Sequence, residues 1–218
     1  MNENLVEATH KEFLAGLLSG NRAKCSELAN SYLNEGASIK ELYETIIKRA
    51  LYEVGELWEY NKISVATEHL ASAIVEGILN ELYIKIISGN KINKTVLASC
   101  VENEYHQIGI KMISDLFEMN GWNSYFLGAN TPTSELISFA KTTKPDIFAI
   151  SLSIYSHLPM LERMISSIRK EFPELLIVVG GQAFRHGGQE VLLQYYNVVY
   201  QPDLNSTEQF IKNINSHG

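Results

Sequence analysis

The first ninety residues keep a helical rhythm throughout. From Leu5 to Leu18 apolar residues recur at three- and four-residue spacings, and Ser19-Gly20-Asn21 breaks the run. A second helix is predicted over 22–34, closed by Glu35-Gly36, where glycine suits the left-handed position past a helix end. Ser38 is placed to cap a third helix, and Glu41, three residues on, completes a capping box. Ile39, Leu42, Ile46, Ala50, Leu51, Val54, Leu57 and Trp58 form its expected buried stripe. After a polar loop over 60–63, Ser64 is expected to cap a fourth helix running to about Ile87. Four helices on short loops predict an antiparallel bundle.

From Lys94 the period changes. Short β-rich runs over 95–101, 124–127, 147–152, 176–179 and 198–200 alternate with helical segments, the last over 206–213. That alternation predicts an α/β unit with a five-stranded parallel sheet and helices on both faces. The change of pattern falls at Ser88-Gly89-Asn90, which predicts a helical-bundle cap over 1–89 and a sheet domain over 90–218. Such sheets bind ligands at the carboxyl ends of their strands. Candidate chemistry is therefore sought in the loops over 102–109, 128–132, 151–156 and 180–188.

Composition narrows the function classes. The 218 residues carry a net charge of −7 without clustered Lys and Arg, which argues against direct nucleic-acid binding. Cys25 and Cys100 are the two cysteines, too few and too far apart for a disulfide framework. With no signal-like N-terminus and no long apolar run, a soluble cytoplasmic protein without membrane partners is expected.

Three features of the second half can carry chemistry. The loop Glu104-Tyr105-His106-Gln107-Ile108-Gly109 offers an imidazole with a carboxylate two residues away, able to fix its tautomer and raise its basicity. Gly109 lets something bulky approach the next helix. With forty-one residues between it and Gly109, Ser151-Leu152-Ser153 ends a strand with two alternating hydroxyls, and twenty-six more residues separate Ser153 from Gly180-Gly181. That pair is expected to leave a slot where a ligand lies against bare backbone.

This pattern resembles the cobalamin-binding domains of the methionine synthase, mutase and corrinoid-protein type, with their Asp-x-His-x-x-Gly, Ser-x-Leu and Gly-Gly signatures. The resemblance implies a flavodoxin/Rossmann-like fold in which His106 is the lower cobalt ligand. Ser151, Ser153, Gly180 and Gly181 would line the channel for the displaced base tail. Glu104 stands where Asp is usual and Ser153 where Leu is usual. In the bundle, Trp58 with nine residues between it and Glu68-His69 resembles the Trp-x9-Glu-His motif of light-sensing adenosylcobalamin regulators. There the motif faces the upper axial adenosyl group. Glu59 follows Trp58 where some members have His, and the helix-turn-helix domain that usually precedes the bundle is not in this sequence. Val65, Tyr105, Gln107, Ile108, Thr131, Tyr155 and Gln182 complete the expected cofactor-binding set.

Each feature alone has a plainer account. Trp58 reads as core, Glu68-His69 as a solvated helix start, and His157 and His186 as exposed loop polarity. His106, His157 and His186 together could hold zinc. Cys100 reads as a small buried residue, and Asn130-Thr131-Pro132 as a helix entry capped by Thr131 with Pro132 at the first helical position. His10 and His217 suggest no function. The combination points to adenosylcobalamin, with methylcobalamin as the other cofactor. The expected role is a non-catalytic light or ligand sensor, self-associating or acting through a transcription regulator. The alternative is a corrinoid methyl carrier serving separate methyltransferases.

Overall fold

The computed structural model describes residues 3–87 and 89–216, so Ser88 and His217 lie outside it. The chain separates into two compact units, Met1–Lys85 and Ile86–Gly218. No helix among the described residues is long and apolar enough to cross a membrane.

The first unit is helical. Helices α1 (Glu3–Leu18) and α2 (Arg22–Asn34) are followed by α3 (Ile39–Leu42), which continues through a π-helical turn (Tyr43–Ile47) into α4 (Lys48–Glu59). Then come α5 (Val65–Glu81) and a short α6 (Tyr83–Ile86). Ser38 and Glu41 form the expected capping box, and the Ser64 hydroxyl accepts from Thr67 N–H at 3.1 Å. The predicted fourth helix is shorter than expected: α5 ends at Glu81 and a turn at Leu82 precedes α6. The π turn was not legible in the apolar spacing. It buries neighbouring pairs, Leu42 with Tyr43 and Ile46 with Ile47, so the inward face is wider than a regular stripe. The core gathers Phe13, Leu17, Tyr43, Ile47, Val54, Val75 and Ile78. Trp58 leaves it: the indole is 49% exposed at the last turn of α4, which corrects its assignment to the buried stripe.

His10 is an unexpected core member. It is buried on α1, with Nε2 3.2 Å from the Glu53 carboxylate. Burial, helped by the Arg49 charge, holds its pKa below the usual histidine value.

The second unit is a parallel sheet in the order β2-β1-β3-β4-β5. Its strands are β1 (Thr95–Cys100), β2 (Asn123–Gly128), β3 (Ile147–Ser151), β4 (Leu176–Gly180) and β5 (Val198–Tyr200). Helices α7 (Ile108–Met119), α8 (Thr133–Thr143), α9 (Leu158–Glu171) and α10 (Leu204–Ser216) connect and close it. The last begins two residues before its predicted start. Strands β1 and β3 are buried almost throughout, as central parallel strands must be, and their apolar runs follow from that. Register places Cys100, Ser151 and Gly180 side by side at the carboxyl edge. The order reverses between β1 and β3, the crevice where this topology binds ligands.

At the opposite edge Arg169 acts as a clasp. Its guanidinium donates to the carbonyl oxygens of Phe172, Pro173 and Leu175 before β4 and of Tyr196 and Asn197 before β5. Arg169→Met keeps the apolar stem and removes all the donors. A loss of about 2 kcal/mol is expected, read as a lowered urea midpoint at unchanged slope.

Candidate functional site

The loop after β1 is a junction for its neighbours. Asn103 takes a left-handed backbone (φ 68°), a conformation asparagine tolerates, and turns the chain back over the strand ends. Three polar side chains of this loop then each hold a different segment. Glu102 accepts from Thr133 N–H at 3.3 Å and from its hydroxyl at 2.7 Å, serving α8 as an N-terminal cap from thirty-one residues away. Gln107 Oε1 accepts from Ala129 N–H at 3.1 Å. Glu104 reaches the loop after β3.

Glu104 is fully buried. Its Oε1 accepts from Tyr105 N–H (3.0 Å), His106 N–H (3.2 Å) and His106 Nδ1. Its Oε2 accepts from Ser153 N–H (3.2 Å) and Ile154 N–H (3.0 Å). Burial alone would raise its pKa. The His106 hydrogen bond and charge, with the backbone donors, overcome that and hold the carboxyl at about 2. A carboxylate so placed ties the two loops of the switch point together and fixes the His106 ring. Engaging Nδ1 leaves Nε2 as the ring nitrogen that could bind a metal, the arrangement that raises ligand basicity. The His106 side chain is 53% exposed, so it sits at the rim of the sheet.

Other expected residues divide by what they touch. Ser151 is buried at the end of β3, and Ser153 and Tyr155 follow it on the same loop, Tyr155 half exposed. Gly109 stands exposed in the first turn of α7, and a Cβ there would meet no atom within 4 Å. Ile108 opens that helix, while Tyr105 and Gln182 are exposed. The Gly-Gly pair has a reason within the chain itself to be glycine. A Cβ on Gly181 (φ +118°) would lie 2.1 Å from Leu152 O, and one on Gly180 2.7 Å from Gln201 O. The chain's own carbonyls demand the missing side chains.

Thr131 does not cap a helix. Its hydroxyl donates to Leu127 O at 3.2 Å, and α8 begins at Thr133 with Pro132 before it, because Glu102 already supplies the cap. His157 departs from its reading as exposed polarity. It lies at the start of α9, its Nδ1 buried and 3.5 Å from Glu104 Oε2. His186 is exposed in a separate turn, and no group of three or more His, Cys, Asp or Glu among the described residues could hold a metal ion. The zinc alternative therefore loses its geometry. Cys100 is buried, its Sγ–H directed at His106 O (3.6 Å), and burial with the Glu104 charge lifts the thiol to about 12.

In the helical unit, Trp58 ends α4 and Val65, Glu68 and His69 open α5, so one short loop brings them to the same end of the bundle. Glu68 bonds His69 Nδ1 at 2.6 Å and accepts from the Ser72 hydroxyl at 2.9 Å. Trp58, Val65 and His69 are exposed, so none of them is spent on the core.

The B12 binding domain family matches residues 94–208, and a second B12 binding domain family matches residues 9–83. The chain is 24% identical over 181 residues to the HTH-type transcriptional repressor CarH of Myxococcus xanthus, covering 83% of this chain and 60% of that protein. It thus spans less than two thirds of that regulator. It is 25% identical over 146 residues to the dimethylamine corrinoid protein of Methanosarcina barkeri, covering 65% of this chain and 68% of that one. In fold it is similar to the monomethylamine corrinoid protein of Methanosarcina barkeri, with a TM-score of 0.82 at 12% identity over 95% of this chain and 99% of that one. The chain belongs to the B12 binding domain family and is a cobalamin-binding protein.

Proposed function

We propose that this chain is an adenosylcobalamin-dependent light or ligand sensor that acts through a partner protein. His106 is the lower cobalt ligand in this reading. Ser151, Ser153, Gly180 and Gly181 border the nucleotide tail, and Trp58, Val65, Glu68 and His69 meet the upper axial group. The fit is supported by the buried Glu104, which holds His106 by Nδ1, and by the open space around the Gly109 backbone. When bound, the corrinoid supplies a cobalt–carbon bond that light can break. The chain binds it, orients it and shelters it from water.

One observation favours a sensor over a carrier: the half-exposed Trp58 at the same end of the helical unit as the Glu68–His69 pair. A bulky indole suits a ligand with an aromatic base and a ribose. A methyl carrier instead has to offer its methyl group to partner enzymes. That second reading is supported by the similarity to the dimethylamine corrinoid protein. Its partner would be a methyltransferase, whereas a sensor's would be a transcription regulator or a second copy of the chain.

The test loads the full chain with adenosylcobalamin in the dark and follows its absorption and elution volume before and after green light. Both should change, and Trp58→Ala should abolish the change in elution volume while leaving cofactor bound. An unchanged spectrum and size after illumination would defeat the sensor reading. Light-independent methyl transfer to a methyltransferase acceptor would establish the carrier.

A further inference from the structure

The helical unit holds a cleft that the cobalamin reading does not use. It measures about 200 Å³ and lies between α1, which brings Leu5, Thr9 and Glu12, and α2, which brings Leu28, Tyr32 and the capping Glu35. Drug-sized ligands fill clefts of about 300–1,000 Å³, so this one suits a molecule of a few heavy atoms. Thr9 is 9% exposed, and its hydroxyl makes no hydrogen bond among the described residues. A helical threonine can donate to the carbonyl oxygen one turn back, and a buried polar group without a partner is rare.

The charge around that hydroxyl is one-sided. Glu12 has Lys24 beside it only at 3.8 Å, and Glu35 forms no ion pair among the described residues. Helix α2 carries no basic residue in its last turn, so Glu35 adds a carboxylate to the negative end of the helix, where a cation is ordinarily favoured. The walls are otherwise carbon. Leu5 and Leu28 are aliphatic, and the Tyr32 hydroxyl is committed to Thr45 Oγ1 at 3.0 Å.

We propose that this cleft binds a short primary alkylammonium ion, which donates an N–H to the Thr9 hydroxyl, is held by the charges of Glu12 and Glu35, and lays its carbon chain along Leu5 and Leu28. A primary ammonium supplies both things the cleft lacks, a hydrogen-bond donor and a positive charge. The inference does not rest on His106 as cobalt ligand, since every residue it uses lies in the helical unit.

The test titrates the full, cofactor-free chain with n-butylammonium chloride and follows the backbone amide resonances of Thr9 and Leu28. These should shift and saturate, whereas sodium chloride of equal ionic strength should leave them in place. Thr9→Val, which keeps the shape and removes the hydroxyl, should weaken binding about fivefold, the loss of one hydrogen bond. Thr9→Ser, which keeps the hydroxyl, should stay within about twofold of the unaltered chain. Glu35→Gln should weaken binding about threefold and yet raise the urea midpoint, because it relieves the carboxylate at the helix end. A purely structural carboxylate would lower the midpoint instead. Butan-1-ol, the same chain length without the charge, should bind about tenfold more weakly. A lysine side chain carries the same group, so Nα-acetyl-lysine amide tests that source and should bind more weakly than butylammonium. Shifts no different from those in sodium chloride, an unchanged affinity in Thr9→Val, or equal binding of the lysine amide would each overturn the proposal.

Discussion

Glu104→Gln is expected to cost the chain about 3 kcal/mol at pH 7, and the deficit should shrink as the solution is made acid. The carboxylate is buried under four backbone N–H groups and the His106 ring nitrogen, all donors. A carboxamide of the same size turns one acceptor oxygen into an NH2, which then faces donors and leaves buried N–H groups unpaired. The pH dependence follows from the same geometry. The folded carboxyl is held at about 2, below the ordinary value of 4.5 that it regains on unfolding. A depressed folded value contributes stability that is complete above the unfolded value and is lost as pH falls from about 4.5 toward 2. Urea midpoints of the two chains, measured between pH 7 and pH 2.5, should therefore converge at the acid end. A constant gap across that range would show that Glu104 stabilises by shape alone. The same substitution should also weaken cofactor binding, since His106 loses the partner that sets its tautomer.

What the sequence disclosed and what it hid divide along the distance between interacting groups. Ser38 and Glu41 are three residues apart, and their capping box was legible because both partners lie within one helical turn. The strands of the sheet were legible for a similar reason. Burial on both faces writes itself as runs such as Ile147–Ser151, whatever the neighbours are. The pairing of Glu104 with His106 falls in the same class, two positions apart on one loop. The partners of Glu104 at Ser153, Ile154 and His157 are forty-nine to fifty-three residues away. They meet only because the parallel register of β1 and β3 sets their carboxyl ends together.

Thr131 shows how a local rule loses to such a distant partner. Its position before Pro132 satisfies the cap pattern, yet Glu102 reaches Thr133 from the neighbouring loop and supplies the acceptor instead. Gly180 and Gly181 must lack side chains because of Gln201 and Leu152, which no spacing announces. Trp58 inverts the usual reading of a large apolar residue. Hydrophobicity placed it in the core, whereas its place at the final turn of α4 leaves it half exposed. A residue that breaks the inside-outside pattern is a better pointer to function than one that obeys it.

His106→Ala is the prediction on which cobalt coordination turns. The substitution removes an exposed side chain at a loop, so the fold should hold. Glu104 keeps its four backbone donors, and the change in urea midpoint should be small beside that of Glu104→Gln. The cofactor is where the loss should appear. Affinity for methylcobalamin is expected to fall about a hundredfold, the upper end of what the loss of an outer partner alone costs. Whatever remains bound should show the absorption of cobalt without a lower imidazole. Free imidazole added at millimolar concentration should restore the imidazole-bound spectrum, because the truncated side chain leaves room beside Glu104 for a ring that the carboxylate can still orient. His69→Ala and His186→Ala serve as controls. One histidine lies in the helical unit and the other in an exposed turn, and neither should alter the lower ligand. An imidazole-bound spectrum persisting in His106→Ala would move the metal to another atom. The carboxylate beneath His106 would then be a structural tie between two loops and nothing more.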